Sequence, residues 1–358
     1  MGTSLLTNQS AMNALQTLRS IGDNMDTTQR RVSTGLRINE ASDNTAYWSI
    51  SSMMKSDRSA LSSVSDAMAL GKSQIDVANA TIDKSKEYLD NIQKSLTSAY
   101  QKGPGDIQKI QADIKANMND IESAVYSASL AEKNILGNNG ESVRIAGSYR
   151  REGTAVYVDM IDVGGKELNF ATKGANGTFD LSQGQLKDIF GKTTPADGTD
   201  PNGKPKGPID VKTLNENIAT LNSSSATADQ KKEAEGKING IISKITVSDF
   251  VNTDLSSVDA NTMERILKAV QGKVTSATSN VTTAGATLGA AKAQVTGQID
   301  YVSKLMDAVD KGVGSLVDAD MNAESARLAS LQVQQQLGIQ ALSIANQNSQ
   351  NILSLFRQ

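Results

Sequence analysis

Apolar positions recur at alternating steps of four and three along three long segments of the chain. That is the period of a helix packed along one seam. The first segment passes through Met54, Asp57, Leu61, Val64, Met68, Gly71, Ile75, Ala78, Ile82, Ser85, Leu89, Ile92, Leu96 and Ala99. Only Asp57, Gly71 and Ser85 break its apolar run. At about 1.5 Å per residue, residues 54 to 99 predict a rod of roughly 70 Å. "KGPG" at 102–105 ends it, because Pro104 cannot continue the hydrogen-bond ladder. A shorter helix follows, marked by Ile107, Ile110, Ile114, Met118, Ile121, Val125 and Ala128, and helical period is lost at "LGNNG", 136–140. The third segment is the longest. Leu267, Val274, Val281, Leu288, Val295, Val302 and Leu305 belong to a strict pattern from Met263 to Leu316, in which only Gln298 and Gly312 are not apolar side chains. Isolated helices are marginal in water, so the three stripes are expected to pack on one another.

Residues 137–258 carry a different pattern. "SVRIAGSYRREGTAVYVDMIDVGG" alternates β-branched and polar residues with glycines at its turns, which predicts strands and a hairpin. "KTTPADGTDPNGKPKGP" holds four of the five prolines and predicts an exposed loop. Short helices are expected around Leu214–Leu221 and Ala234–Ile245. The middle of the chain therefore reads as an insertion into a helical rod, entered and left at one end.

The two chain ends share a chemistry. Ala11, Leu15, Leu18, Met25 and Val32 lie on one helical stripe, and the first 22 residues contain a single charged side chain, Arg19. Leu328, Leu331, Leu337, Ile339, Leu342, Ile344, Ile352 and Phe356 place apolar residues every few positions through a stretch with no charged residue at all. A surface helix normally keeps charge on its wet face. A membrane-surface helix would carry Lys and Arg there, and a disordered tail would not keep periodic Leu and Ile. An interface helix fits: where most of its circumference meets protein, charge is costly, whereas Gln and Asn are satisfied by hydrogen bonds. Gln332, Gln336, Gln340, Asn346 and Asn351 are the candidates for the polar face of this helix.

Composition narrows the chemistry. The chain has 358 residues, a net charge of −3 and 4% aromatics, so its core must be mostly aliphatic. No basic block points to nucleic acid, and no apolar run reaches the ~18 residues of a membrane span. Cysteine and histidine are both absent. This excludes disulfides, thiolate metal sites, and every catalytic arrangement built on histidine. No cofactor, metal or catalytic site is expected. "DADMNAES" (Asp318–Ser325) begins like a calcium loop but has Ala323 and Ala329 where the loop needs Gly and Glu; it reads better as a helix junction. In "EASDN", Ser42, Asp43 and Asn44 are candidate caps for the first rod, and Trp48, beside Tyr47, is expected to be a packing anchor. By itself, the lack of a basic, apolar leader in "MGTSLLTNQSAMNAL" suggests a cytoplasmic protein.

"SAMNALQTLRSI", "RRVSTGLRINEASDNTAYWSIS" and the ending "QQQLGIQALSIANQNSQNILSLFR" closely resemble bacterial flagellin, and "AYWSI" and "LVDADMN" are similar to its rhizobial and related alphaproteobacterial branch. The resemblance covers roughly residues 3–135 and 260–357. It implies a mainly α fold, a long-helix coiled-coil bundle built from both chain ends, with a smaller α+β outer insertion domain in mid-chain. The implied layers are an inner terminal-helix domain (1–43 plus 318–358), a helical rod domain (44–140 plus 260–317), and a variable outer surface domain (141–259). The implied function is that of a structural subunit polymerising into the extracellular flagellar filament for swimming motility. The implied partners are copies of itself, the filament cap, hook-junction proteins and an export chaperone, with export through the flagellum's own type III channel and no cleaved signal. That reverses the cytoplasmic reading. The resemblance also implies innate immune receptors as partners of Arg30–Ser51 and the region near Leu89–Ile114. Here "ASDNTAYWS" and "DNIQKSL" depart from the family's patterns, so poor recognition is expected. Two alternatives stand beside the filament subunit: a hook–filament junction protein with similar termini, and an enzyme-bearing flagellin with a protease insertion.

Overall fold

The computed structural model describes residues 8–100, 104–153, 155–174, 177–191 and 209–355, the last eight of these by backbone alone. The loop expected at 192–208 lies outside the described residues. The chain divides into two compact units, 1–62 with 303–358, and 63–302.

In the first unit, α1 (Gln9–Thr34) begins at Asn8, whose side chain accepts from the Ala11 amide at 3.0 Å. It ends at Gly35, which adopts φ +71° and donates its amide to the Arg31 carbonyl at 2.9 Å. Only glycine takes that left-handed conformation without strain. The helix α2 (Thr45–Ala99) starts at Asn44, whose Oδ1 accepts from the Tyr47 amide at 3.1 Å. Asp43 instead accepts from the Asn39 and Glu40 amides, and these bonds hold its carboxyl below the usual range.

The second unit contains most of α2, together with α3 (Pro104–Ser127), which opens on the proline where a missing N–H is harmless. Asn134 ends α3: its amide donates to the Val125 carbonyl at 2.7 Å while its oxygen accepts from Leu136 and Gly137. Two short strands follow, β1 (Ser129–Leu130) and β2 (Lys133–Asn134), then the hairpin of β3 (Ser142–Glu152) and β4 (Ala155–Gly164). The remainder comprises β5 (Thr172–Lys173), β6 (Phe179–Asp180), α4 (Lys187–Phe190), α5 (Val211–Asn222), α6 (Ala228–Lys244) and α7 (Val247–Asn252). The chain then enters α8 (Ala260–Val317) and, past a short junction, α9 (Met321–Leu355).

Within the second unit α2 and α8 run antiparallel: Tyr100 contacts Gln271 at 3.2 Å, and Asp76 meets Lys292 at 2.6 Å. Val64, Met68, Ile75, Ile82, Leu89, Ile92 and Leu96 of α2 are buried there, as are Leu267, Val274, Val281, Leu288, Val295 and Val302 of α8. In the first unit Leu61 is buried and Leu305 half-buried.

The break in the α2 pattern at Gly71 has a structural reason. A Cβ at Gly71 would overlap the side chain of Ile145, which the hairpin inserts there. We expect Gly71→Val to unseat the hairpin and cost about 1–3 kcal/mol through overpacking. A thermal melt at or above the parent Tm would contradict this.

The middle segment lies along the long helices of its own unit. Lys273, Asn280 and Thr287, seven residues apart on α8, contact Asp188 at 3.0 Å, the Gln185 carbonyl at 3.2 Å and Glu167 at 3.1 Å. On α3, buried Gln111 donates to the carbonyls of Phe250 and Thr253 at 2.6 and 3.0 Å. Tyr126 stacks on Phe179 at 5.5 Å, and its hydroxyl lies 2.7 Å from the Phe179 carbonyl and 2.8 Å from Glu122. Burial, with the Glu122 carboxylate beside it, pushes that hydroxyl up to about 12.

The Asp76–Lys292 pair links α2 to α8. The Lys292 ammonium, with Lys72 at 3.1 Å, holds the Asp76 carboxyl below its ordinary range. A carboxyl depressed by folding stabilises the native state above its unfolded pKa, and that stabilisation is lost as pH falls through the folded value. Asp76→Asn is therefore expected to lower Tm at neutral pH and to make it less sensitive to acid. An unchanged Tm–pH profile would refute the linkage.

Candidate assembly interface

The terminal helices α1 and α9 pair antiparallel. The Asn8 side chain donates to the Ala345 carbonyl at 3.0 Å, Leu18 sits against Gly338, and Arg31 meets Glu324 at 3.1 Å. A side chain on Gly338 would press on Leu18, so the glycine lets the two backbones approach. At the base of the pair, the Arg37 amide donates to Val317 at 2.7 Å and the Ala319 amide to Gly35 at 2.9 Å. Ile38, Val313 and Val317 form a small core there. The "DADMN" stretch supplies the cap of α9: Asp320 Oδ1 accepts from the amides of Asn322 and Ala323 at 3.0 and 3.2 Å.

At 100° per residue, α9 has three faces. Leu331 is buried, and Leu328 and Leu342 are half-buried, on the face that carries Gly338 and Ala345. Gln332, Gln336 and Gln340, four residues apart, form a second, exposed face, and Asn346 is exposed near it. Val333, Leu337 and Ile344 form a third stripe, roughly opposite the first. They are 56, 57 and 61% exposed, and Ile339, away from this stripe, is equally open. On α1, Leu18 and Met25 are half-buried, whereas Met12 and Leu15 are exposed. The side chains of Asn351 and Ile352, and the whole of Phe356, lie outside the described residues. Met12 and Val333 are absent from the sequence-derived set. Their signal was a second apolar stripe out of phase with the leucines.

This pair of helices is thus apolar on the side that meets its partner and apolar again on a side that is exposed among the described residues. Single exposed leucines are ordinary on a protein surface, but a contiguous stripe marks an interaction site. Trp48 and Tyr47 show the same mismatch. They are 40 and 43% exposed, so Trp48 is not the buried packing anchor that the sequence suggests.

Comparison with known proteins gives the family. The model of the bacterial flagellin N-terminal helical region matches residues 5–140, and that of the C-terminal helical region matches residues 271–356. A flagellin of Bartonella bacilliformis is 47% identical over 364 residues, covering 96% of this chain and 97% of its own. The chain belongs to the flagellin family. A flagellin of Brucella melitensis biotype 1 is 38% identical over 354 residues, covering 99% of both chains. Flagellin D of Rhizobium meliloti strain 1021 is 35% identical over 408 residues, covering 99% of this chain and all of its own. This flagellin is therefore a structural subunit of the extracellular bacterial flagellar filament, which self-polymerises and serves motility. Flagellins matching along nearly its full length do not favour the hook–filament junction alternative. Among the described residues, no helix is long and apolar enough to cross a membrane.

Proposed function

We propose that α1 and α9 make the innermost contacts of the filament, with Leu15, Leu337 and Ile344, joined by Met12 and Val333, packing against neighbouring copies. One observation carries this reading: the apolar stripe on α9 that stays exposed among the described residues. The charge-free Gln face beside it suits the wall of a channel through which further unfolded subunits pass. Gln offers hydrogen bonds without the fixed charge that would hold a passing chain.

On this reading residues 1–43 with 318–358 form the inner layer, 44–140 with 260–317 the surrounding helical layer, and 141–259 the outward-facing one. The work is mechanical rather than catalytic, and heterologous contacts that do not close into a ring build the open helix. The filament cap, hook-junction proteins and an export chaperone on the C-terminal segment are the remaining partners, with export through the flagellum's type III channel. Innate immune receptors are poor partners, because "ASDNTAYWS" and "DNIQKSL" replace the family's usual patterns.

Methionine footprinting tests the interface. Met12 is 59% exposed in the subunit, so peroxide should oxidise it readily in monomers and slowly in filaments. Equal oxidation in both states would place α1 outside the contact.

A further inference from the structure

The β3–β4 hairpin carries apolar residues on both faces, with Arg151 opposite Val156 and the Arg144–Asp162 pair also on the outward one. Its register pairs Ile145 with Ile161 and Val143 with Val163. These residues share the face that inserts Ile145 at Gly71, and Ile145, Ile161 and Val163 are buried. The opposite face carries Val156, Val158 and Met160, two residues apart, which are 51, 43 and 46% exposed. Tyr149 lies across from Val158. An antiparallel sheet with one wet face normally keeps that face polar, and a lone two-stranded hairpin is marginal in water. From Ala155 to Met160 every residue of β4 is exposed.

A second uncovered apolar strip lies at the start of α2. Tyr47, Ile50 and Met53, three residues apart, are 43, 44 and 46% exposed, with Trp48 beside them. Aromatic side chains of this kind dominate the energetics of protein interfaces. The hairpin strip from Val156 to Met160 is about 13 Å long. The helix strip from Tyr47 to Met53 is about 9 Å long, so one can cover most of the other.

We propose that the outward face of the hairpin receives the Tyr47–Met53 strip of a second copy of this chain. A homopolymer offers copies of the chain as the occupants of both surfaces. Two different patches that meet between copies form a heterologous contact, the kind that propagates an open filament, whereas hairpin against hairpin would be a self-complementary contact and close into pairs. This inference rests on the family's self-assembly and not on the contacts of α1 and α9.

The chain has no cysteine, which permits a clean cross-linking test. Val158→Cys and Ile50→Cys subunits are purified separately, mixed in equal amounts, polymerised, and treated with a short bis-maleimide; light scattering monitors filament growth independently. The expected product is a covalent dimer containing one of each variant, absent when either variant is polymerised alone. Intact filaments that yield no mixed dimer, or a dimer from Val158→Cys alone, overturn the proposal while leaving the α1–α9 interface untouched. Met160→Cys with Met53→Cys repeats the test at a second pair. Should both pairs fail to polymerise, Val158→Ser subunits that polymerise like the parent chain would overturn the proposal, and a slowed or arrested growth would support it.

Discussion

Leu337→Asp leaves the isolated subunit folded and abolishes filament growth. Leu337 is 57% exposed in the single chain, so a carboxylate there stays in water and the helices keep their packing. In the proposed assembly the same position is enclosed by a neighbouring copy. A buried, unpaired carboxylate costs several kcal/mol, and the cost recurs at every subunit added. Circular dichroism should show an unchanged helical melt, while light scattering after seeding should show no elongation. Normal filaments from this variant would remove α9 from the assembly contact.

Leu288→Asp has the opposite distribution of effects. Leu288 is fully buried in the seam between the long helices. The substitution removes a large aliphatic side chain and places a charge in a buried seam. Losses of ~4 kcal/mol or more are expected from such a change, a large part of the ~5–15 kcal/mol that stabilises a folded domain. The subunit itself should melt early and lose helical signal before assembly is attempted. A parent-like melting curve would show that the seam at Leu288 is not the subunit's core. The two aspartates together separate a stripe that folds the chain from a stripe that joins chains.

In sequence these two kinds of stripe look alike, and that sets how much of the molecule was legible. The long helices at both ends and the small sheet between them follow from period alone, since a 4-3 repeat and a β-branched alternation are local signals. What a stripe meets is not local. Leu331 and Leu337 are equally plausible interface residues by spacing, yet one is buried and the other open to solvent. Gly71 reads as a flaw in the heptad until Ile145, more than seventy residues on, is found seated against it. Lys273, Asn280 and Thr287 form a heptad of polar residues whose partners lie in turns and helical segments too short for any periodicity to announce. Trp48 reads as an anchor because tryptophans usually are buried. Its exposure becomes intelligible only once the chain is seen as one copy among many.

A helical reconstruction of the assembled filament at side-chain resolution tests the central claim most directly. The account predicts α1 and α9 at the smallest radius, with Val333, Leu337 and Ile344 packed on adjacent copies and Gln332, Gln336 and Gln340 facing the lumen. A filament in which that stripe remains in contact with solvent, or in which α9 lies at the outer surface, would contradict it.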